Sequence, residues 1–212
     1  MAGCKVIGVL GGVGSGKSEA VNYLESKYKA YTIKADDLAH RLYKKGQPGY
    51  KAVIRICGKS VLDDNREINR SKLASLLYQN PQLLSEVNKS IHPMVYRKTL
   101  NLIAEYKRRH KKGLIAYEAA IIPDNTVRFV DKYWYVYTPR DIRVKRLKDT
   151  RGYTDNRIEE IMKNQPTEAD YRAIADVVLV NDGNLAKMEE QIDELIKHSE
   201  RYQRKFNIYR FR

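Results

Sequence analysis

Cysteine is scarce in this 212-residue chain, acidic residues are outnumbered by basic ones, and long apolar runs are missing altogether. The two cysteines, Cys4 and Cys57, make no disulfide framework and stand without metal-ligand company, so both are read as reduced thiols with no assigned role. No apolar run reaches the roughly eighteen residues of a membrane-crossing helix. Met1 passes through Ala2, Gly3 and Cys4 straight into a strand pattern, which leaves no room for a signal peptide and sets the expectation of a cytoplasmic protein. Low-complexity tracts are absent too, so the chain is expected to fold along its length. No N-K-x-D motif accompanies a guanine-type switch, and the one D-x-x-G match, Asp149 to Gly152, does not follow a strand. Zinc, RRM and helix-turn-helix signatures are likewise missing, which argues against a nucleic-acid module.

The acid deficit, 26 Asp and Glu against 40 Lys and Arg, gives a formal charge of +14 and favours polyanionic partners. Nucleotides, nucleic acid and acidic membranes all satisfy that criterion. Much of the excess lies in Lys107 to Lys112, read as the solvated last turn of a helix, and in the tail from Arg201 to Arg212.

One stretch narrows the choice. Gly11 to Ser18, GGVGSGKS, fits the spacing G-x-x-x-x-G-K-[ST] and follows the apolar run Val6, Ile7, Val9 and Leu10. Glycines let successive backbone N–H groups turn inward, and the concavity they line carries positive partial charge. Gly12, Val13, Gly14, Ser15 and Gly16 are therefore candidates to cradle phosphates. Lys17 supplies a full charge for the β and γ phosphates, and Ser18 a hydroxyl ligand for Mg²⁺. A nucleoside triphosphate is the implied ligand.

The remaining elements are read around this loop. Lys5 to Leu10 is a doubly buried strand, and Ala20, Val21, Leu24 and Tyr28 form the apolar stripe of the next helix. Tyr31 to Lys34 is a second strand that delivers Asp36 and Asp37 to its carboxyl end, where ligands of open α/β sheets sit. Asp36 is the candidate to orient and deprotonate an acceptor hydroxyl, with Asp37 in a capping role; a cap role for Asp36 is the competing reading. Residues 46 to 110 are mainly helical and suit an acceptor-covering insertion. Pro93 is expected in the first turn of a helix, with His92 either a substrate contact or a cap. Gly113 to Tyr117 is the third strand, ending at Glu118, which holds Mg²⁺ through water or serves as a structural carboxylate. Tyr133 to Tyr137 is the fourth, with aromatics assigned to the core. A basic helix after Pro139 and a second one from Asp155 to Asn164 form a lid, with Arg146 and Arg151 as the inward cations. Ala175 to Val180 is the fifth strand, Asn181 begins the turn expected near adenine, and Leu185 to Tyr202 is a closing amphipathic helix.

The ordered set of GGVGSGKS, IKADDLAH at Ile33 to His40, His92 with Pro93, Gln165, and ADVVLVNDG at Ala175 to Gly183 resembles the dephospho-CoA kinase family, over almost the whole chain up to about Tyr202. The resemblance implies an α/β fold: a five-stranded parallel sheet P-loop kinase core with helices on both faces, a helical CoA-binding insertion and a lid. The expected segments are a core of 1–45, 113–139 and 175–203, an insertion of about 46–112 and a lid of about 140–174. It also implies transfer of the ATP γ-phosphoryl to the ribose 3'-hydroxyl of dephospho-CoA with Mg²⁺, with Asp36 at the family's acidic position and Lys17 and Ser18 at its phosphate and metal positions. Many members carry Pro-Leu-Leu after strand three; here Glu118 is followed by Ala119, Ala120, Ile121 and Ile122, so the acid is kept and the proline is not. The alternatives are another small-metabolite or nucleoside monophosphate kinase and a nucleic-acid-associated NTPase. The expected partner is a small molecule, with no membrane and no nucleic acid, and the expected state is a monomer or weak homo-oligomer.

Overall fold

A computed structural model describes the backbone of residues 3–120 and 129–208, and side chains as far as 198. Ile121 and Ile122, and the side chains of the basic tail from Arg201 to Arg212, lie outside the described residues.

The strands are β1 (Cys4–Leu10), β2 (Tyr31–Lys34), β3 (Gly113–Ala119), β4 (Lys132–Tyr137) and β5 (Val177–Val180). They form one parallel sheet in the order β2-β3-β1-β4-β5. β1 lies at its centre, and Val6, Val9 and Leu10 are fully buried, as a strand covered on both faces requires. The helices are α1 (Lys17–Tyr28), α2 (Ala35–Leu42), α3 (Pro48–Cys57), α4 (Arg70–Gln79), α5 (Pro81–Arg109), α6 (Arg140–Arg151), α7 (Asp155–Lys163), α8 (Glu168–Ile174) and α9 (Leu185–Ile208). Two compact units emerge: Met1–Ile33 with Lys107–Arg212, and Lys34–Tyr106.

In the first unit Ile7, Val9, Ala116, Trp134, Val136 and Leu179 of the sheet pack with Ala20, Val21 and Leu24 of α1 and Met188 and Ile192 of α9. Trp134 and Tyr135 of the aromatic strand are core residues, as their sequence context suggests. At the far end of α1 a polar cluster joins it to α9. Lys27 Nζ donates to Asp193 Oδ2 at 2.6 Å, and the Tyr23 and Tyr28 hydroxyls donate to Asp193 Oδ1 at 2.9 and 2.7 Å. Those bonds, led by Lys27, hold the Asp193 carboxyl at about 2, while burial foremost, with the Asp193 bond second, pushes Tyr28 up to about 12.

In the second unit α2 starts earlier than the sequence suggests. Lys34 is its N-cap, and no side chain caps it, so Asp36 and Asp37 both sit inside the first turn. Neither is the N-cap; their charges favour the positive end of the helix dipole instead. α5 also departs from expectation: it runs unbroken through Pro93, so that proline does not open a helix and His92 is no cap. Pro93 removes one backbone donor and is tolerated because turns on both sides are anchored by buried Val87, Ile91, Val95 and Ile103. Asn69 and Thr154 do act as caps, accepting from Lys72 and Arg157 backbone N–H groups.

Asp193→Asn is expected to lower the melting temperature at neutral pH. The wild-type carboxyl is depressed, so its contribution is complete above the ordinary carboxyl value of about 4 and is lost as pH falls toward 2. Melting curves of both proteins should therefore converge over that acid range; a constant difference would remove Asp193 from the pH dependence.

Candidate active site

β1 ends at Leu10 and α1 begins at Lys17, and the residues between form the phosphate loop at the carboxyl edge of the central strand. Gly16 is the N-cap of α1 with φ 91° and ψ 21°, a left-handed conformation that L side chains rarely adopt. This turn frees the first helical N–H groups to face a ligand, and the helix dipole adds positive potential there. Lys17 is nearly buried, at 9% exposure, and its Nζ donates to Gly12 O at 3.1 Å, folding the side chain back over the loop.

The loop is braced from outside. Ser15 O accepts from Thr138 Oγ1 at 2.8 Å and from Asn181 Nδ2 at 2.9 Å. Arg146 Nη1 donates to Gly14 O at 3.3 Å, and its Nη2 to Asn181 Oδ1 at 3.0 Å. Arg143 Nε donates to Val13 O at 2.9 Å, and the Val13 N–H donates to Gln165 Oε1 at 2.8 Å. The carbonyls of Val13, Gly14 and Ser15 and the Val13 N–H are thus all held by side chains from outside the loop.

Among the residues singled out from sequence, Gly12 to Ser18, Glu118, Arg146 and Asn181 come together. Asn181 is 0% exposed, and its amide serves the loop and Arg146, while its backbone N–H donates to Tyr137 O. Its side chain thus shapes the loop. Arg151 ends α6, exposed, with its guanidinium 6.0 Å from the Tyr153 ring centroid. Asp36 and His92 belong to the second unit, on α2 and α5. Desolvation lowers the His92 imidazole below its ordinary value. Sequence reasoning passed over Arg143 and Thr138. Leu147 is the buried residue of α6 and packs on Gly14, but a helical period puts Arg143 and Arg151 equally close to its face, so the sequence held no signal that singles out Arg143.

The metal expectation has a test in the donor set. Ser18 Oγ donates to Glu118 Oε1 at 2.7 Å, and Glu118 Oε2 is buried with no hydrogen-bond partner. An orphaned carboxylate oxygen beside a hydroxyl at the phosphate loop suits a hard cation, and Mg²⁺ needs few protein ligands when phosphate and water complete its octahedron. Among the described residues no group of three His, Cys, Asp or Glu could hold a metal ion by itself. Glu118 lies inside β3, paired with Val9, so the strand rather than a loop fixes it.

A Cβ on Gly16 would overlap the Asn181 amide nitrogen in addition to the strained φ. Gly16→Ala is expected to cost about 1–2 kcal/mol in backbone strain, to lower the melting temperature by several degrees and to weaken nucleotide binding at least about tenfold. Calorimetric titration with ATP and a thermal melt check this; unchanged affinity would show that the loop tolerates a side chain there.

The comparisons with known proteins agree with this geometry. A family model described as dephospho-CoA kinase matches residues 5–187. A dephospho-CoA kinase of Coxiella burnetii is 31% identical over 194 residues, covering 89% of this chain and 94% of its own. One of Carboxydothermus hydrogenoformans is 30% identical over 188 residues, covering 88% and 90%. The solved dephospho-CoA kinase of Campylobacter jejuni matches in fold with a TM-score of 0.59 at 18% identity, over 92% of this chain and 97% of that one. With a triphosphate loop, a parallel five-stranded sheet and relatives matched almost end to end, the chain belongs to the dephospho-CoA kinase family of ATP-dependent enzymes of coenzyme A synthesis.

Proposed function

We propose that the chain transfers the γ-phosphoryl group of ATP to the ribose 3'-hydroxyl of dephospho-CoA, and that its own residues divide the work as follows. The amides of Gly12, Gly14 and Gly16 to Ser18 seat the β and γ phosphates, with the Val13 N–H kept on Gln165 and the Ser15 N–H on Gly12 O, and Lys17 exchanges its bond to Gly12 O for phosphate oxygens. A charged donor gains more from an anion than from a neutral carbonyl. Arg146 and Arg143 supply further cations beside the loop, and Arg151, the exposed last residue of α6, is assigned as a further lid cation. Asn181 keeps the loop in shape under the nucleotide. Ser18 and Glu118 would hold Mg²⁺, which supplies charge neutralisation at the β and γ oxygens when bound.

Asp36 is assigned the acceptor side. Its carboxylate accepts the proton of the 3'-hydroxyl as that oxygen forms a bond to the γ phosphorus. The bond from that phosphorus to the β–γ bridging oxygen breaks, and ADP leaves with the bonding pair. His92 is assigned to acceptor binding, where desolvation favours the neutral ring. Phosphoryl transfer of this kind needs little covalent chemistry from a protein; alignment and charge stabilisation are most of the catalysis. Among the described residues no helix is long and apolar enough to cross a membrane. The setting we propose is the cytoplasm, with a small-molecule partner and a monomer or weak homo-oligomer.

The observation that carries this reading is the braced loop with its adjacent Ser18–Glu118 pair, in a chain of this family. The direct test is ADP release with ATP and Mg²⁺, comparing dephospho-CoA with nucleoside monophosphates, shikimate, sugars and buffer. Turnover only with dephospho-CoA is expected; preference for another acceptor would redirect the assignment. Asp36→Asn should keep ATP affinity and lower turnover by roughly 10²–10⁴, and wild-type turnover would take Asp36 out of the chemistry. Glu118→Gln should raise the Mg²⁺ concentration needed for half-maximal rate by about tenfold, read from a magnesium titration at fixed ATP; an unaltered titration would leave Glu118 a structural residue.

A further inference from the structure

The turn between α7 and α8 touches the phosphate loop through one side chain. Gln165 Oε1 accepts from the Val13 N–H at 2.8 Å and from Arg143 Nη2 at 3.5 Å, and Arg143 Nε donates to Val13 O at 2.9 Å. These three contacts close a ring around Val13. The Arg143 guanidinium also lies directly against Gly12, where any Cβ would overlap it. A side chain at position 12 would therefore displace the arginine from its place along the loop.

The support of that ring is firm. The Gln165 N–H donates to Met162 O at 3.2 Å at the end of α7. Two residues on, Thr167 and Asp170 form a reciprocal capping box that starts α8. Tyr171 of α8 is 2% exposed, stacks on Tyr135 at 5.0 Å, and donates its hydroxyl proton to Ala120 O at 2.6 Å. Gln165 is therefore presented from a turn pinned to the sheet, so its oxygen stays at a constant place beside the loop.

The chemistry of the acceptor matters as much as its place. Arg143 is largely withdrawn from water, and burial lowers its pKa from the ordinary guanidinium value. Its bonds here go to a backbone carbonyl and a carboxamide, both uncharged. A carboxylate at 165 would fill the same space and hold the arginine more tightly, but it would cancel the charge and set an anion beside the triphosphate. A carboxamide orients the cation and leaves its charge available.

We infer that Gln165 is a positioning residue for phosphoryl transfer: a charge-neutral acceptor on a pinned turn that holds the Arg143 guanidinium along Val13 and directs its charge to the bound triphosphate. This rests on the proposed role of Arg143 as a phosphate-facing cation. The test is a double-mutant cycle on the intact chain, with kcat and KM for ATP measured for Gln165→Ala, Arg143→Ala, the double variant and Gln165→Glu, and a thermal melt for each. Gln165→Ala should lower kcat about tenfold, and Arg143→Ala about a hundredfold; the double variant should match Arg143→Ala within about threefold, because Gln165 acts through that arginine. Gln165→Glu should raise KM for ATP about tenfold with an unlowered melting temperature. If Gln165→Ala costs the same factor with and without Arg143, or if Gln165→Glu leaves KM unchanged, the positioning role is overturned. If Arg143→Ala alone keeps wild-type kinetics, the role of Arg143 fails instead, a separate result. Should Gln165→Ala fail to fold, the nearly isosteric Gln165→Glu decides.

Discussion

Everything at the catalytic end depends on a loop of main-chain amides being kept open against its own tendency to collapse. A run with this much glycine has high conformational entropy when free, and ordering it costs about 1–2 kcal/mol per residue. The structure offsets that cost from the outside. Thr138 and Asn181 share the Ser15 carbonyl, Arg146 takes that of Gly14, and Arg143 that of Val13. Each bond to a charged donor is worth about 1.5–3 kcal/mol. With these carbonyls tied back and the Val13 N–H held by Gln165, the path of the loop backbone is fixed from outside.

The braces come from the far side of the sheet order. Thr138 follows β4, Asn181 follows β5, and both arginines are on α6, all in the same compact unit as β1 and its loop. Residues separated by more than a hundred positions thereby converge on four consecutive peptides. In this structure α6 braces the loop through Arg143, Arg146 and Leu147, and Gly152, left-handed at φ 61°, ends the helix beyond them. The Gly152 corner separates α6, whose last residue is Arg151, from Tyr153.

The parts legible from sequence were those dictated by local rules. Four glycines, Lys17 and Ser18 behind a doubly buried strand specify loop, helix start and ligand class together, and β2 runs from Tyr31 to Lys34 as its composition suggests. Glu118 was legible as an acid near a strand end, although β3 continues through it to Ala119. Less legible were features decided by packing. Pro93 reads as a helix start by every local rule, yet buried side chains on either side carry α5 through it. Asp36 and Asp37 resemble caps, but the helix opens earlier, at Ala35. Arg143 was one cation in a basic run, and only the burial of Leu147 shows which face meets the loop. Gln165 was a marker without a mechanism until its oxygen was found between Val13 and Arg143.

The cluster that joins α1 to α9 has a further consequence. α1 begins at the last residues of the phosphate loop and ends beside Asp193, so the carboxylate clamps the distal end of the very rod whose proximal end holds phosphate. A helix fixed at both ends resists rotation about its axis, and rotation is the motion that would swing Lys17 and Ser18 out of register. The C-terminal helix thereby acts, through Asp193, as a torsional anchor for it. Shortening the chain after Ile196 would leave that anchor in place, whereas ending it ahead of Asp193 would let the loop's own helix turn.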